Sequence, residues 1–231
     1  VCSSDLTIVG SLQIDCEVPV DTLPPCPPIL QATNDCSIYE SNVWPDPVFI
    51  NYLKWKITDE PCNEDIYSYK IYYSTDSNAL TLLTTISVVG DTTYNHTLLD
   101  NLAGCYAITA VDRLGNESAF SNIVCVDNCP YYILPNTFTP NGDGQNDVFH
   151  PFKPYRFVTR IDMRIYNRWG VEVFRTNDPE IGWNGKDQKT GKALPDGVYL
   201  YAGQYYENRL GGEVAKPLNS DKKGGGVIHL I

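Results

Sequence analysis

Apolar and polar side chains alternate along most of the chain, in short runs separated by turn residues. In the first half the alternation is clearest at Leu53, Trp55 and Ile57, and it recurs at residues 69–73 and 106–110. A period of two residues is typical of a half-buried β-strand, because successive side chains point to opposite faces. Pro, Gly, Asn and Asp mark the gaps, and no stretch keeps a helical period. The pattern predicts an all-β protein.

The alternation continues in the second half of the chain. Ile161, Met163 and Ile165 alternate with charged residues, while residues 198–205 alternate between aliphatic side chains and tyrosines. Residues 227–231 form a last apolar run. Each of these segments predicts a strand, and the first set of three is expected to point inward.

Glycines mark the predicted turns of this half. Residues 167–170 end in Gly170 and predict a tight hairpin turn, because glycine adopts positive φ without steric cost. The glycine runs at residues 211–212 and 224–226 predict flexible loops.

Charge is distributed unevenly along the 231 residues, whose formal net charge is −11. Residues 1–130 contain 17 acidic and 4 basic side chains, whereas residues 131–231 contain 11 and 13. This difference predicts two units with different surfaces, and the chain is long enough for two domains of about 100 residues each. The distribution of charge argues against nucleic acid as a partner, because phosphate binding requires a dense basic patch.

The cysteines are confined to the first unit. An even number in one region of an acidic, β-rich chain is typical of disulfides formed in an oxidising compartment. A zinc site is disfavoured, because the chain has no CxxC pair and its histidines are scattered. The disulfide candidates are Cys2, Cys16, Cys26, Cys36, Cys62, Cys105, Cys125 and Cys129.

Targeting and membrane segments are not predicted in this chain. Its first residues lack the basic region and apolar run of a signal peptide. No stretch approaches the roughly 20 apolar residues of a membrane span, so the protein is not expected to span a membrane. If the protein is exported, we expect this chain to be part of a longer precursor.

Motifs of the first half resemble strands of a fibronectin type III module. They are LKW at residues 53–55, YKIYY at 69–73 and CYAITAVD at 105–112, followed by GNES at 115–118. The resemblance implies an immunoglobulin-like sandwich over residues 28–129. Residues 1–27 are then the end of a preceding module and a proline-rich linker. The sequence departs from the family at Leu102, which lies only four residues before Tyr106.

The fibronectin-like arrangement also implies disulfide partners. The implied pairs are Cys105–Cys125 or Cys105–Cys129 at one end of the sandwich, and Cys26–Cys62 or Cys36–Cys62 at the other. Each bridge is expected to stabilise the domain by roughly 2–4 kcal/mol.

Four motifs follow one another in the second half: LPNTFTPNGDGQND at residues 134–147, IYNRWG at 165–170, GWNG at 182–185 and PDGVYLY at 195–201. In this order they resemble the gliding motility-associated C-terminal domain, the type B sorting domain of type IX secretion cargo in Bacteroidota. The resemblance implies a second sandwich over residues 130–231. The whole chain is therefore predicted as two immunoglobulin-like β-sandwich domains in tandem.

This second resemblance implies a function and partners. The domain would be a secretion and surface-attachment signal, exported through the periplasm to the outer membrane, and many family members are large, gliding-associated adhesins. The implied partners are the outer-membrane type IX translocon, its cargo-shuttle barrel and a dedicated small outer-membrane barrel protein.

Candidate partner-binding residues lie at a hairpin tip and near the C-terminus. Arg168 and Trp169 occupy the predicted tip, where exposed Trp and Arg are typical anchors. The alternative is that Trp169 packs back onto the sandwich. The other candidates are Lys222, Lys223, Val227, Ile228, Leu230 and Ile231.

The loop at residues 141–147 is the candidate metal site. It places an oxygen-bearing side chain at every second residue, namely Asn141, Asp143, Gln145 and Asp147. Such a loop can wrap Ca²⁺. The alternative is a tight turn in which Asn and Asp side chains bond their own backbone. No cofactor is required by the predicted function.

Catalysis is not predicted, because the chain contains no GxSxG, HExxH or P-loop motif and two small sandwiches offer no obvious cleft. The many Tyr and Trp residues leave a carbohydrate-binding module as the alternative function, which requires aromatic rings exposed on one face. A structural spacer without any signal is a third interpretation.

Overall fold

The structure is a computed structural model that describes residues 21–37, 48–58, 62, 65–76, 79–87, 90, 92–98, 100–218 and 225–231. Within these residues the extended regular elements are thirteen β-strands, so the predicted all-β class is confirmed. None of the described elements is a helix long and apolar enough to cross a membrane. The candidates Cys2, Cys16, Lys222 and Lys223 lie outside the described residues.

The N-terminal unit contains two antiparallel sheets. Its strands are β1 Ile29–Thr33, β2 Phe49–Lys56, β3 Ile66–Ser74, β4 Thr81–Ile86, β5 Thr93–Leu98, β6 Gly104–Asp112 and β7 Val124–Val126. One sheet has the order β1-β2-β5 and the other the order β4-β3-β6-β7. This arrangement is the sandwich that the fibronectin-like motifs imply.

The core of this unit lies between the two sheets. Leu53 and Trp55 of β2 point inward, and Trp55 meets Tyr69 of β3 edge-on at 5.3 Å between ring centroids. Strand β6 is buried at every position because β3 and β7 flank it. Its outer side is covered by a segment in which Ser118 and Ser121 donate backbone N–H bonds to it.

A polar cluster is buried at one end of this core. The Asn51 side-chain amide donates to the Tyr106 hydroxyl at 2.7 Å and to the Leu102 carbonyl at 2.8 Å. The Tyr106 hydroxyl is also hydrogen-bonded to the His96 ring, with 2.8 Å between its oxygen and Nδ1. Burial disfavours the charged imidazole and lowers the pKa of His96.

Two of the implied disulfides are confirmed. Cys26 pairs with Cys62, and Cys105 pairs with Cys125. Cys105 and Cys125 are direct cross-strand neighbours in the β6–β7 ladder, with 4.0 Å between their Cα atoms. The second bridge therefore joins two strands that are already paired.

A third disulfide was not predicted. Cys36, just after β1, pairs with Cys129, just after β7. The competing pairs Cys36–Cys62 and Cys105–Cys129 are therefore wrong. The reason is topological: β1 and β7 lie against each other, so the segments that leave them run to the same end of the sandwich.

The C-terminal unit is built on one sheet. Its strands are β8 Thr137–Phe138, β9 Val158–Tyr166, β10 Glu172–Thr176, β11 Gly197–Arg209, β12 Gly212–Pro217 and β13 Gly225–Leu230. The order is β10-β9-β11-β13-β8, and β12 pairs with the second half of β11. Neighbouring strands are antiparallel except β13 and β8, which are parallel.

One face of this sheet packs against irregular segments that form the second layer. Ile161, Met163 and Ile165 point inward as predicted, and they are almost completely buried. Trp183 and Phe149 cover them from the second layer, and their backbones form an isolated antiparallel bridge. Tyr199, Tyr201 and Tyr205 of β11 also face this core, which leaves the aliphatic side chains of β11 facing solvent.

Two glycines of the predicted loop at residues 224–226 instead belong to strand β13, so the loop prediction is wrong for Gly225 and Gly226. A Cβ on Gly226 would clash with the Tyr201 ring, and a Cβ on Gly225 would clash with the Tyr201 carbonyl. Glycine at these positions lets β13 approach β11 closely.

The His96 cluster predicts a pH dependence of stability. The unfolded chain binds a proton at His96 near pH 6.5, whereas the folded protein, with its lowered pKa, resists it. Stability should therefore fall as the pH drops from 7.5 to 5.5, by at most about 1.4 kcal/mol per unit. His96→Asn, which keeps an acceptor for Tyr106, should flatten this slope in urea unfolding. An equal slope in both proteins would contradict the assignment.

Candidate functional site

The loop at residues 141–147 is held by its own side chains. The two Asp147 carboxylate oxygens accept from the backbone N–H groups of Gly142 and Gly144, at 2.6 and 2.7 Å. Asp143 accepts from the Gln145 N–H and from the Asn141 side chain, and these bonds lower the pKa of its carboxyl. Gly142 and Gly144 have φ of 82° and 83°, which brings their N–H groups toward Asp147.

This geometry is that of a turn whose carboxylates bond to its backbone. Calcium binding at Asn141, Asp143, Gln145 and Asp147 stays a prediction, because these hydrogen bonds account for the shape of the loop without a cation. A different carboxylate group lies in the N-terminal unit, where oxygens of Asp21, Asp65 and Asp112 lie within 4.8 Å of one another. Sequence spacing offers no signal for it, since its members come from distant segments.

The hairpin between β9 and β10 presents its Trp to solvent. The Asn167 side-chain oxygen accepts from the N–H groups of Trp169 and Val171, both at 3.0 Å, and Gly170 takes a φ of 76°. Trp169 is 73% exposed, so it does not pack back onto the sheet. The Arg168 guanidinium lies 4.9 Å from the centre of its indole ring, a cation–π contact.

A shallow groove separates this tip from the start of β11. Its walls include Arg168 and Trp169 on one side and Pro195 and Val198 on the other. The Tyr199 hydroxyl donates to the Pro195 carbonyl at 2.8 Å, which holds the second wall in place. The groove thus combines apolar side chains with the Arg168 guanidinium and the Asp196 carboxylate.

The predicted C-terminal contact residues divide between the two faces of β13. Val227 is 41% exposed and Ile231 is 65% exposed, so both are accessible. Ile228 and Leu230 are buried in the core of the unit. A partner that binds the folded unit therefore reaches Val227 and Ile231 but not Ile228 or Leu230.

The two units make a polar junction. The Arg209 guanidinium donates to the buried Glu207 carboxylate at 2.6 Å and to the Asn128 carbonyl at 3.1 Å. It also lies 3.8 Å from the Asp127 carboxylate. The Asp127 carboxylate accepts from the Leu210 N–H at 2.8 Å. The end of the β11–β12 hairpin therefore holds the segment that links the units.

An apolar contact accompanies this junction. The Phe49 and Phe157 rings lie 5.0 Å apart, one from each unit. Phe49 packs with Leu102 and Cys129, and Cys129 is bonded to Cys36. The third disulfide therefore lies beside the junction, and the sequence gives no signal for a contact between the units there.

The fold and surfaces define a β-sandwich followed by a single-sheet unit with an exposed recognition tip. Residues 132–216, all within the C-terminal unit, match the model of the CHU_C type IX secretion signal domain. This region contains the four motifs of residues 134–201, and the match supports a type IX secretion signal in the C-terminal unit. Such a signal implies interaction with the secretion system and export to the cell surface.

The solved structures that match the chain share little sequence with it. FN1–FN3 domains of chicken CNTN1 are 15% identical, cover 90% of this chain and 67% of that one, and give a TM-score of 0.35. A tetra-tandem repeat in the extending region of a large adhesion protein is 15% identical over 88% and 47%, with a TM-score of 0.36.

Pectate lyase PelI from Erwinia chrysanthemi, in complex with tetragalacturonic acid, is 18% identical over 44% of this chain, with a TM-score of 0.32. The match spans only 28% of the lyase chain. TM-scores this low support no functional argument for any of the three. No curated protein matches the chain.

The loop at residues 141–147 predicts a response to substitution and to calcium. Asp147→Ala should lower the Tm even in a chelator, because two backbone N–H groups lose charged acceptors worth up to about 1.5 kcal/mol each. Ca²⁺ at millimolar concentration should raise the Tm of the unsubstituted protein but not that of Asp147→Ala, in thermal unfolding. Equal Tm values with Ca²⁺ and with chelator would contradict calcium binding.

The junction predicts a charge-dependent stability effect. Arg209→Met leaves the buried Glu207 without its cation and should cost about 1–3 kcal/mol in urea unfolding. The double variant Arg209→Met/Glu207→Gln should be more stable than Arg209→Met alone, because it leaves no unpaired carboxylate buried at residue 207. Arg113→Met, at an exposed turn position without an ion pair in the described part of the chain, is the control. Equal losses for the single and double variants would contradict this interpretation.

Proposed function

We propose that the C-terminal unit is the secretion and surface-attachment signal of a cell-surface protein of the Bacteroidota. The match of residues 132–216 to a type IX secretion signal domain is the observation that supports it most directly. The unit has a closed core around Trp183 and Met163, both fully buried, so we propose that it is recognised as a folded body. Its role is recognition, not catalysis.

The proposed partners are the outer-membrane translocon of the type IX system, its cargo-shuttle barrel and a dedicated small outer-membrane barrel protein. The exposed groove at Arg168 and Trp169 supports a protein partner, since Trp and Arg provide most of the energy at many interfaces. Val227 of β13 and Ile231, which follows this strand, are accessible and extend this surface. Localisation follows as the cell surface, associated with the outer membrane.

The N-terminal sandwich is proposed as a spacer in a large, gliding-associated adhesin. The three disulfides among the described residues support an extracellular location, because small extracellular domains commonly use disulfides to supplement a small core. Each disulfide closes a loop of the chain. The longest loop is closed by Cys36–Cys129, whose cysteines are 93 residues apart in the sequence. It ties the first strand of the sandwich to the residue that precedes the signal.

The burial of the aromatic residues gives no support to carbohydrate binding. Trp55 and Trp183 are almost completely buried, and Tyr199 and Tyr201 face the core. A sugar platform requires several rings exposed on one face. Trp169 alone among the described tryptophans is exposed, so we do not propose this function.

The proposal predicts where a reporter travels. A periplasm-targeted fluorescent reporter fused before residues 1–231 should reach the surface of a bacterium with a functional type IX system and the cognate small barrel protein. The same reporter fused to residues 1–130 should stay in the periplasm, because it lacks the signal. Surface protease accessibility measures the difference.

A strain without the translocon provides the second control for this experiment. There, the reporter with residues 1–231 should also stay in the periplasm. Retention of the full fusion in the competent strain would contradict the proposed function. Surface display of the 1–130 fusion would place the signal elsewhere.

A further inference from the structure

On strands β11 and β13, part of the solvent-facing side of the C-terminal sheet is apolar, where such a face is normally polar. Val198 and Leu200 of β11 are 46% and 48% exposed, and Val227 of β13 is 41% exposed. Leu200 pairs with Val227 on one side and with Tyr166 of β9 on the other, while Val198 lies two residues before Leu200 on the same face and pairs with His229. We call Tyr166, Val198, Leu200 and Val227 the outer patch.

The outer patch continues into the groove at the hairpin tip. Val198 belongs to both, because it also forms a wall of the groove opposite Trp169. The most exposed ring on this unit therefore lies at one end of a row of half-exposed aliphatic side chains. Single exposed apolar residues are common, but contiguous ones rimmed by polar groups mark interaction sites.

Unpaired arginines rim the outer patch. Arg164 of β9 and Arg175 of β10 lie directly opposite each other, and like charges in this position destabilise a sheet. Neither forms an ion pair in the described part of the chain, and neither does Arg168. Glu172, opposite Tyr166, does not bridge them either. Repulsion between Arg164 and Arg175 destabilises the isolated domain, and the carboxylates of an acidic partner would reduce that repulsion.

The edge of the sheet beside these arginines is already occupied. The Gln188 side chain accepts from the Arg175 N–H at 2.9 Å and donates to the Arg175 carbonyl at 3.0 Å. Its own N–H donates to the Val173 carbonyl. A partner strand therefore cannot add to this part of β10, and the accessible surface is the face of the sheet.

We propose that the outer patch and its arginine rim bind an acidic, apolar-containing segment of an outer-membrane protein of the type IX system. This inference rests on the proposed function and names the surface and the chemistry of its partner. Apolar side chains of the segment lie over Leu200 and in the groove at Trp169. Its carboxylates face Arg164, Arg168 and Arg175, whose planar guanidinium groups match carboxylates in two-point hydrogen bonds.

The exposure of the patch favours a protein segment over a lipid surface. Its aliphatic side chains are less than half exposed, so they stand between their neighbours and do not project freely. Side chains of this kind pack against other side chains, whereas insertion into a bilayer requires apolar groups that project into it.

Display of the full chain behind the reporter tests the patch with a matched pair of variants. Val227→Glu should reduce surface display about 10-fold or more, because it puts a charge in the patch. Val214→Glu should leave display unchanged. Val214 of β12 is also 41% exposed and lies on the same sheet outside the patch, so the two variants differ only in location. Thermal unfolding should give them the same Tm.

An arginine variant tests the rim without endangering the fold. Arg164→Glu places a carboxylate opposite Arg175, which should favour the folded sheet while repelling an acidic partner. It should lower display in the same direction as Val227→Glu. Arg113→Glu, on the N-terminal unit, is the charge-matched control and should leave display unchanged.

Photo-crosslinking identifies the molecule that binds the outer patch. A benzophenone side chain at Leu200 should crosslink in cells to a type IX outer-membrane protein, and mass spectrometry should place the link in an acidic segment. The same group at Val214 should give no such product. Purified chain mixed with phosphatidylglycerol vesicles provides the membrane arm, and it should not bind.

The outcomes separate this inference from the proposed function. If the unsubstituted chain is displayed and Val227→Glu and Arg164→Glu are displayed equally well, the inference is wrong and the function stands. If the unsubstituted chain is not displayed in a competent host, both fail. Vesicle binding that Val227→Glu abolishes, without a protein crosslink at Leu200, would replace the protein partner with a membrane surface.

Discussion

The burial of Trp183 is the contact on which the C-terminal unit depends. Its ring lies 5.1 Å from that of Phe138, on β8, and 5.3 Å from that of Tyr199, on β11, while its indole N–H donates to the Lys186 carbonyl at 3.0 Å. The segment around it contributes no strand to the sheet, and this ring packs it against the core of the unit. Because the irregular segments are used to cover one face of the sheet, the opposite face is left to solvent. The exposed aliphatic residues on that face are thus a consequence of how the core is closed.

The alternation of side chains predicted the strands but not always the direction in which they face. In β9 the inward residues are apolar and the outward ones charged, so the prediction was unambiguous. In β11 both sets are apolar enough to be buried. The tyrosines face the core because their large rings fill the space beside Trp183 and the Tyr199 hydroxyl donates to the Pro195 carbonyl. Val198 and Leu200 therefore face solvent. The glycines of β13 were misassigned because composition alone does not reveal that Tyr201 requires a close approach there.

Long-range pairings were the least predictable part of the molecule. Cys105–Cys125 follows from adjacent antiparallel strands, but Cys36–Cys129 depends on where two loops end after leaving β1 and β7. The junction is similar, since Glu207 and Arg209 are two residues apart on one strand and look like an ordinary surface pair. Only the fold shows that Glu207 is buried and that Arg209 also reaches the preceding unit. The turn at Trp169 was predictable, because Asn and Gly at fixed positions define it, whereas the exposure of the indole ring was left open by the sequence.

The parallel pairing of β8 and β13 has a mechanical consequence. The His229 N–H donates to the Asn136 carbonyl, and the Ile231 N–H donates to the Phe138 carbonyl. If tension enters through the preceding unit while β13 is held, the two strands are pulled lengthwise past each other. Bonds loaded in this shear direction share the force and break together, whereas bonds at a peeled edge break one after another. The contacts of Arg209 join the two units at a second place, so part of the force passes through these contacts and not along the linking segment. The order of the strands therefore suits a domain that must stay folded while it bears a load.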